Sequence, residues 1–244
     1  METSSNQGLV SPDNSAFEQE TEEHWIAVSD LMSGLMMLFL LIAVMYLVIV
    51  EQKNDEIERV VVLYEDLREE LYADLQQEFG ADLPRWGAEL DEDLRLRFTN
   101  TDLLFEEGEA ELRGEFATIL ADFFPRYMAI LSSQQYRDDI LEVRIEGHTS
   151  SSWSQARDSD DAYLLNMALS QERTRSTLGY IMELSQVAHE KQWLRERLTA
   201  NGLSSSQLIL SDQGDEDPDL SRRVEFVVVT DAETRLSTIL QELR

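Results

Sequence analysis

The most constraining stretch is Trp25–Val50, WIAVSDLMSGLMMLFLLIAVMYLVIV, an apolar run whose one ionisable residue is Asp30. A bilayer core about 30 Å thick is crossed by roughly 20 apolar residues in a helix. The 25 residues Ile26–Val50 are therefore long enough to span with some tilt. A helix is also the one single segment that satisfies its own backbone hydrogen bonds in lipid. A signal peptide would carry a basic leader, a shorter apolar region and a small-residue cleavage site. Here the leader is acidic, the apolar run is longer, and no A-x-A site follows. The expectation is a transmembrane helix over 25–50.

A carboxylate in the hydrocarbon costs about 3 kcal/mol on insertion scales, so it normally faces protein or water and marks function. Ser29, Ser33 and Gly34 lie beside Asp30; small residues let a second helix approach, and hydroxyls can share a hydrogen bond. An acid that alternates between neutral and charged can pass protons down a gradient. The alternative is that Asp30, five residues beyond Trp25, reaches the nearby headgroups.

The chain of 244 residues has a net charge of −29. It lacks the basic footprint of a nucleic-acid binder, so no direct nucleic-acid partner is expected. With no cysteine, disulfides and thiolate metal sites are excluded. Residues 1–24 carry six acids and no Lys or Arg and read as a disordered tail. Lys53 and Arg59 follow the span, which by the positive-inside rule would put the C-terminal side in the cytoplasm. After the span, Ile57, Val60, Tyr64, Leu67, Leu71, Leu75 and Phe79 recur at helical steps. This stripe, in a connector over 51–91, suits either a parallel coiled coil or a helix packed on its own domain.

Alternation in Asp93–Phe98, Ile140–Ile145 and Arg223–Val229 marks strands, and Gln207–Leu210 reads as a short one. Leu112–Leu131, with Pro125 placed to kink it, and Tyr163 to about Leu198 read as helices, as does Ala232–Leu243. The α/β (α+β) class follows, with a β-α-β-α-β order, a mixed sheet and helices on one face.

Four groups of residues carry a resemblance: Leu104-Phe105 with Gly108; Glu146-Gly147-His148-Thr149-Ser150; Asn166 to Arg173, NMALSQER; and Ser221 to Phe226, SRRVEF. In this order they resemble the OmpA-like pattern over about residues 94–230. Trp25, Asp30, Leu31-Met32 and Phe39 are similar to MotB-type stator subunits, and SDLMSGLMMLFLL is closer still to the MotB-like subunits of Zorya anti-phage defence systems. The resemblance implies an ion-driven motor of the bacterial inner membrane. The N-terminus would be cytoplasmic, against the charge bias, and residues 92–244 would form a periplasmic domain that grips peptidoglycan. The implied partners are a MotA/ZorA-like multi-span protein, a second copy of the chain, and the cell wall. The implied ion residues are Asp30 and Ser33, carrying a proton in preference to sodium, with no cofactor.

The implied wall site uses Thr149, Ser150, Asn166 and Arg173, with Arg173 clamping a diaminopimelate carboxylate. The pattern's Asp for the ammonium group is absent, since Ser150 stands there; Asp158, Asp160 or Asp161 could supply the charge from the same loop. His148 is expected as a structural hydrogen-bonder. No nucleophile set or metal-ligand spacing stands out, so an enzyme is not expected. A flagellar-type stator and a passive wall tether remain as alternatives.

Overall fold

The computed structural model describes residues 15–231. The chain divides into two compact units, Met1–Glu56 and Ile57–Arg244. Helix α1 runs over Ser15–Phe79, so helix begins inside the stretch expected as tail. In the first unit, every residue from Val28 to Val50 is exposed. The segment Val28–Asp55 contains an 18-residue stretch with a mean hydropathy of 2.7 and is long and apolar enough to cross a membrane.

In the second unit, α1 is followed by α2 (Leu83–Trp86), β1 (Ala88–Leu90), β2 (Arg95–Phe98), α3 (Thr101–Leu104), α4 (Gly114–Leu131), β3 (Ile140–His148), α5 (Ser159–Glu183), a 3₁₀ turn (Ser185–Glu190), α6 (Lys191–Arg197), β4 (Leu198–Gly202), α7 (Pro218–Ser221) and β5 (Arg223–Thr230). The mixed sheet has the order β1-β2-β5-β3-β4. Strand β5 pairs antiparallel with β2 and β3, and β3 pairs parallel with β4. The expected helix over Ala232–Leu243 lies outside the described residues.

One sheet face carries the core. Phe98, Phe116, Phe123, Phe124, Tyr127 and Phe226 are all fully buried, in mostly edge-to-face contacts such as Phe98–Phe123 at 5.5 Å and Phe123–Phe226 at 5.2 Å. Helix α4 continues through Pro125. The end of α1 belongs to this core: Leu71, Leu75 and Phe79 are fully buried. Asp74 accepts a hydrogen bond from the Tyr136 hydroxyl at 2.6 Å, and Arg126 bonds Glu78 and Asp82 while lying 4.9 Å over the Phe79 ring. The last turns of the connector stripe thus pack on their own domain.

The opposite face is charged. Register places Arg97 beside Glu225 and Glu225 beside Glu146. Glu225, fully buried, accepts from Arg97 at 2.8 Å, Arg223 at 2.5 Å and Arg95 at 3.1 Å. Both faces of β5 are therefore buried, one by apolar packing and the other by ion pairs.

Two expectations are corrected. Gln207–Leu210 is not a strand; it makes a loop in which Leu210 bridges Glu216 and Ile209 is held by the Ser221 hydroxyl. The strand is β4, LTANG, read from sequence as the end of a helix and the loop after it. Its short polar composition gives no alternation, and its position comes from parallel pairing of Val143–Gly147 with Leu198–Gly202.

Candidate functional site

Gly147 and Gly202 are register partners on β3 and β4. A Cβ on Gly202 would sit 2.2 Å from the Gln171 backbone nitrogen, and one on Gly147 would sit 2.7 Å from Thr174 Cγ2. The glycine pair therefore lets α5 lie directly on the strands. The buried face of α5 is polar along its middle, with Asn166, Ser170, Arg173, Thr174 and Thr177 between Ala162 and Ile181. Ser204, fully buried with a left-handed φ of 54°, ties the parts together. Its N–H donates to Ser170 Oγ at 3.0 Å, its hydroxyl donates to the Tyr163 carbonyl at 2.8 Å, and its carbonyl accepts from Thr149 N–H at 2.9 Å.

This arrangement frames a cavity of about 720 Å³ into which Thr149, Ser150, Asn166 and Arg173 all project at least part of their surface. The four expected wall-site residues are thus brought together. Asn166 Nδ2 donates to the Ser152 carbonyl at 3.3 Å, and the Ser150 and Ser152 hydroxyls lie 3.3 Å apart. The Thr149 hydroxyl is buried with no partner among the described residues.

Arg173 donates through Nε to the Glu109 carbonyl at 2.8 Å and through Nη2 to the Glu106 carbonyl at 3.1 Å, with its guanidinium 4.8 Å from the Phe105 ring centre. Burial, with the like charge of Arg222, pulls its pKa down to about 10, so it stays cationic at neutral pH. A guanidinium suits a carboxylate, and Arg222, itself paired with Asp219, lines the same cavity.

Glu107, Trp153 and Leu169 also line the cavity and were not read as site residues, and Phe105 and Arg222, read within the motifs, line it too. The Leu104-Phe105…Gly108 motif was the signal that this loop belongs here. The expected substitutes for the missing Asp are engaged elsewhere or lie off the cavity. Asp158 caps α5 by accepting from Asp161 N–H at 2.9 Å. Asp161 pairs with Arg157 at 2.9 Å, and Asp160 does not line the cavity.

His148 is buried but hydrogen-bonds through neither ring nitrogen among the described residues, correcting the hydrogen-bonding role expected of it; Nε2 lies 3.7 Å from Glu146 Oε2. Glu146, His148 and Glu225 offer ligand atoms within 4.8 Å of one another. Arg95, Arg97 and Arg223 already supply the positive charge there, with Arg95 also 3.6 Å from Glu146. The donor set does not fit a divalent cation.

In the first unit, Asp30 is exposed and lies near the N-terminal end of the apolar segment Val28–Asp55. Ser33 Oγ donates to the Ser29 carbonyl one turn back at 2.7 Å. That commits the hydroxyl proton to the helix and leaves the oxygen lone pairs to accept.

No family model matches the chain. It is 45% identical over 226 residues to the Zorya protein ZorB of Escherichia coli (strain ATCC 8739), covering 92% of this chain and 95% of that protein. The chain belongs to the ZorB family. The Zorya resemblance read from SDLMSGLMMLFLL is borne out. Among solved structures, a MotB-like protein from Desulfovibrio vulgaris superposes with a TM-score of 0.47 at 24% identity, covering 68% of this chain and 96% of that one. The cell wall anchor of the T6SS from Pseudomonas aeruginosa gives 0.44 at 21% identity, covering 64% and 96%. The periplasmic domain of Helicobacter pylori MotB gives 0.41 at 12% identity, covering 61% and 84%.

Proposed function

We propose that this ZorB-family chain is the MotB-like, non-enzymatic subunit of an ion-driven inner-membrane motor in a Zorya anti-phage defence system. It anchors that motor to peptidoglycan and supplies the ion-carrying carboxylate. The observation that carries the reading is a helix apolar and exposed from Val28 to Val50 and interrupted by one acid, Asp30. Such a surface is compatible with lipid or with other membrane helices, and its acid needs a protein or water neighbour.

In this reading α1 crosses the membrane once with its N-terminus in the cytoplasm. Two copies sit within a ring of MotA/ZorA-like multi-span subunits. Protonation of Asp30, with Ser33 accepting a hydrogen bond nearby, changes which neighbour the side chain prefers. Each proton crossing 100 mV supplies about 2.3 kcal/mol to bias the step. The Arg173 cavity holds the carboxylate end of a wall peptide, so the central pair stays fixed while the ring moves.

Affinity purification of the full-length chain from detergent-solubilised host membranes, with intact-complex mass measurement, tests this. Two copies of the chain with a multi-span protein in at least roughly twofold excess support it. A chain that leaves the membrane without a multi-span partner rejects the motor and leaves a passive tether. The tether has one observation in its favour: Asp30 lies close to the end of the apolar segment, within reach of headgroups.

A further inference from the structure

We infer that Glu107 is the acid that receives an ammonium group in the Arg173 cavity, which makes the site selective for a zwitterionic amino-acid end over a plain carboxylate. The inference rests on the wall-anchor reading of this cavity and adds the residue that sets its selectivity. Among the described residues lining the cavity, Glu107 is the one acid, in a set that includes Arg173 and Arg222.

Two nearby acids are committed, and Glu109 does not line the cavity. Glu106 pairs with Arg113 at 3.0 Å, and Glu216 accepts from Ser151 N–H at 2.9 Å and from its hydroxyl. Glu107 has no ion pair among the described residues and is exposed. Its backbone is fixed from both sides, because Arg173 binds the carbonyls of Glu106 and Glu109. The arginine that offers positive charge therefore also fixes the loop that carries the single acid. A ligand with a carboxylate alone would satisfy the guanidiniums and leave Glu107 facing an anion. A ligand with an ammonium beside its carboxylate satisfies both.

The full-length chain in detergent is titrated with meso-diaminopimelate and with pimelate, the same dicarboxylate without ammonium groups, and is pelleted with isolated sacculi. Wild type is expected to prefer meso-diaminopimelate. Glu107→Gln is expected to cut that preference by about five- to tenfold, by weakening meso-diaminopimelate binding and relieving the repulsion of pimelate, and Asp160→Asn to leave it intact. A Glu107→Gln chain that keeps the wild-type preference, or an Asp160→Asn chain that loses it, overturns the assignment while the wall reading stands. Wild type that binds neither compound and stays out of the sacculus pellet overturns both.

Discussion

The buried charge of Glu225 makes stability depend on acid in a specific way. Despite desolvation, hydrogen bonds and charge from Arg97 and Arg223 hold its carboxyl at about 2, against an ordinary value of 4.5. Because the folded pKa is depressed, the stabilisation is fully present above pH 4.5. It is lost as pH falls from there toward 2. At 1.36 kcal/mol per unit the whole contribution is about 3 kcal/mol, of which about 2 is gone by pH 3. Arg95 and Arg97 are partly open to solvent, with 35% and 23% of their side chains exposed, so the true figure lies toward the lower side. Glu225→Gln leaves three guanidiniums without their shared acceptor, and one-sided loss of a buried pair costs about 3–5 kcal/mol. The assay is denaturant unfolding of the full-length chain in detergent at pH 7 and pH 3, followed by fluorescence of the buried Trp86 and Trp193. Many carboxylates titrate in this window, so the informative quantity is the difference between wild type and variant. Wild type should lose about 2 kcal/mol more than Glu225→Gln between the two pH values. Equal losses, or a variant within 1 kcal/mol of wild type at pH 7, would refute the role given to this network.

Other outcomes follow from the same geometry. Gly202→Ala drives a methyl into the α5 backbone 2.2 Å away and should cost at least the roughly 1–3 kcal/mol of an overpacked core, read as a lower thermal midpoint. Tyr136→Phe removes the 2.6 Å bond to Asp74 and should cost about 1–2 kcal/mol, with faster amide exchange in the last turns of α1. Arg173→Ala removes the bonds that hold Glu106–Glu109 and, with them, the proposed carboxylate clamp. It should abolish pelleting with sacculi, and Arg173→Lys should restore little, because a lysine cannot bridge two carbonyls and still present a planar fork.

The parts legible in the sequence were those whose physics is local. The apolar run needs only composition, and β2, β3 and β5 show alternation because one face meets the aromatic core. Strand β1 has three residues and β4 a polar five, so neither carries a period; both exist through their partners. Helix α5 hides its buried face because the middle of that face is polar and packs against glycines. The motif residues of the cavity could be picked out by resemblance, but Glu107 could not. Residues 107, 150, 173 and 222 meet only when Arg173 captures the carbonyls of a loop 64 and 67 positions away.

The most direct test of the motor is Asp30→Asn in the full-length chain, expressed with its multi-span partner in cells challenged with phage. Assembly is measured by the mass of the purified complex and function by plaque counts. The expected result is an intact complex with protection lost, since the amide keeps the shape and cannot cycle a proton. Protection equal to wild type in cells that contain the assembled variant would contradict it.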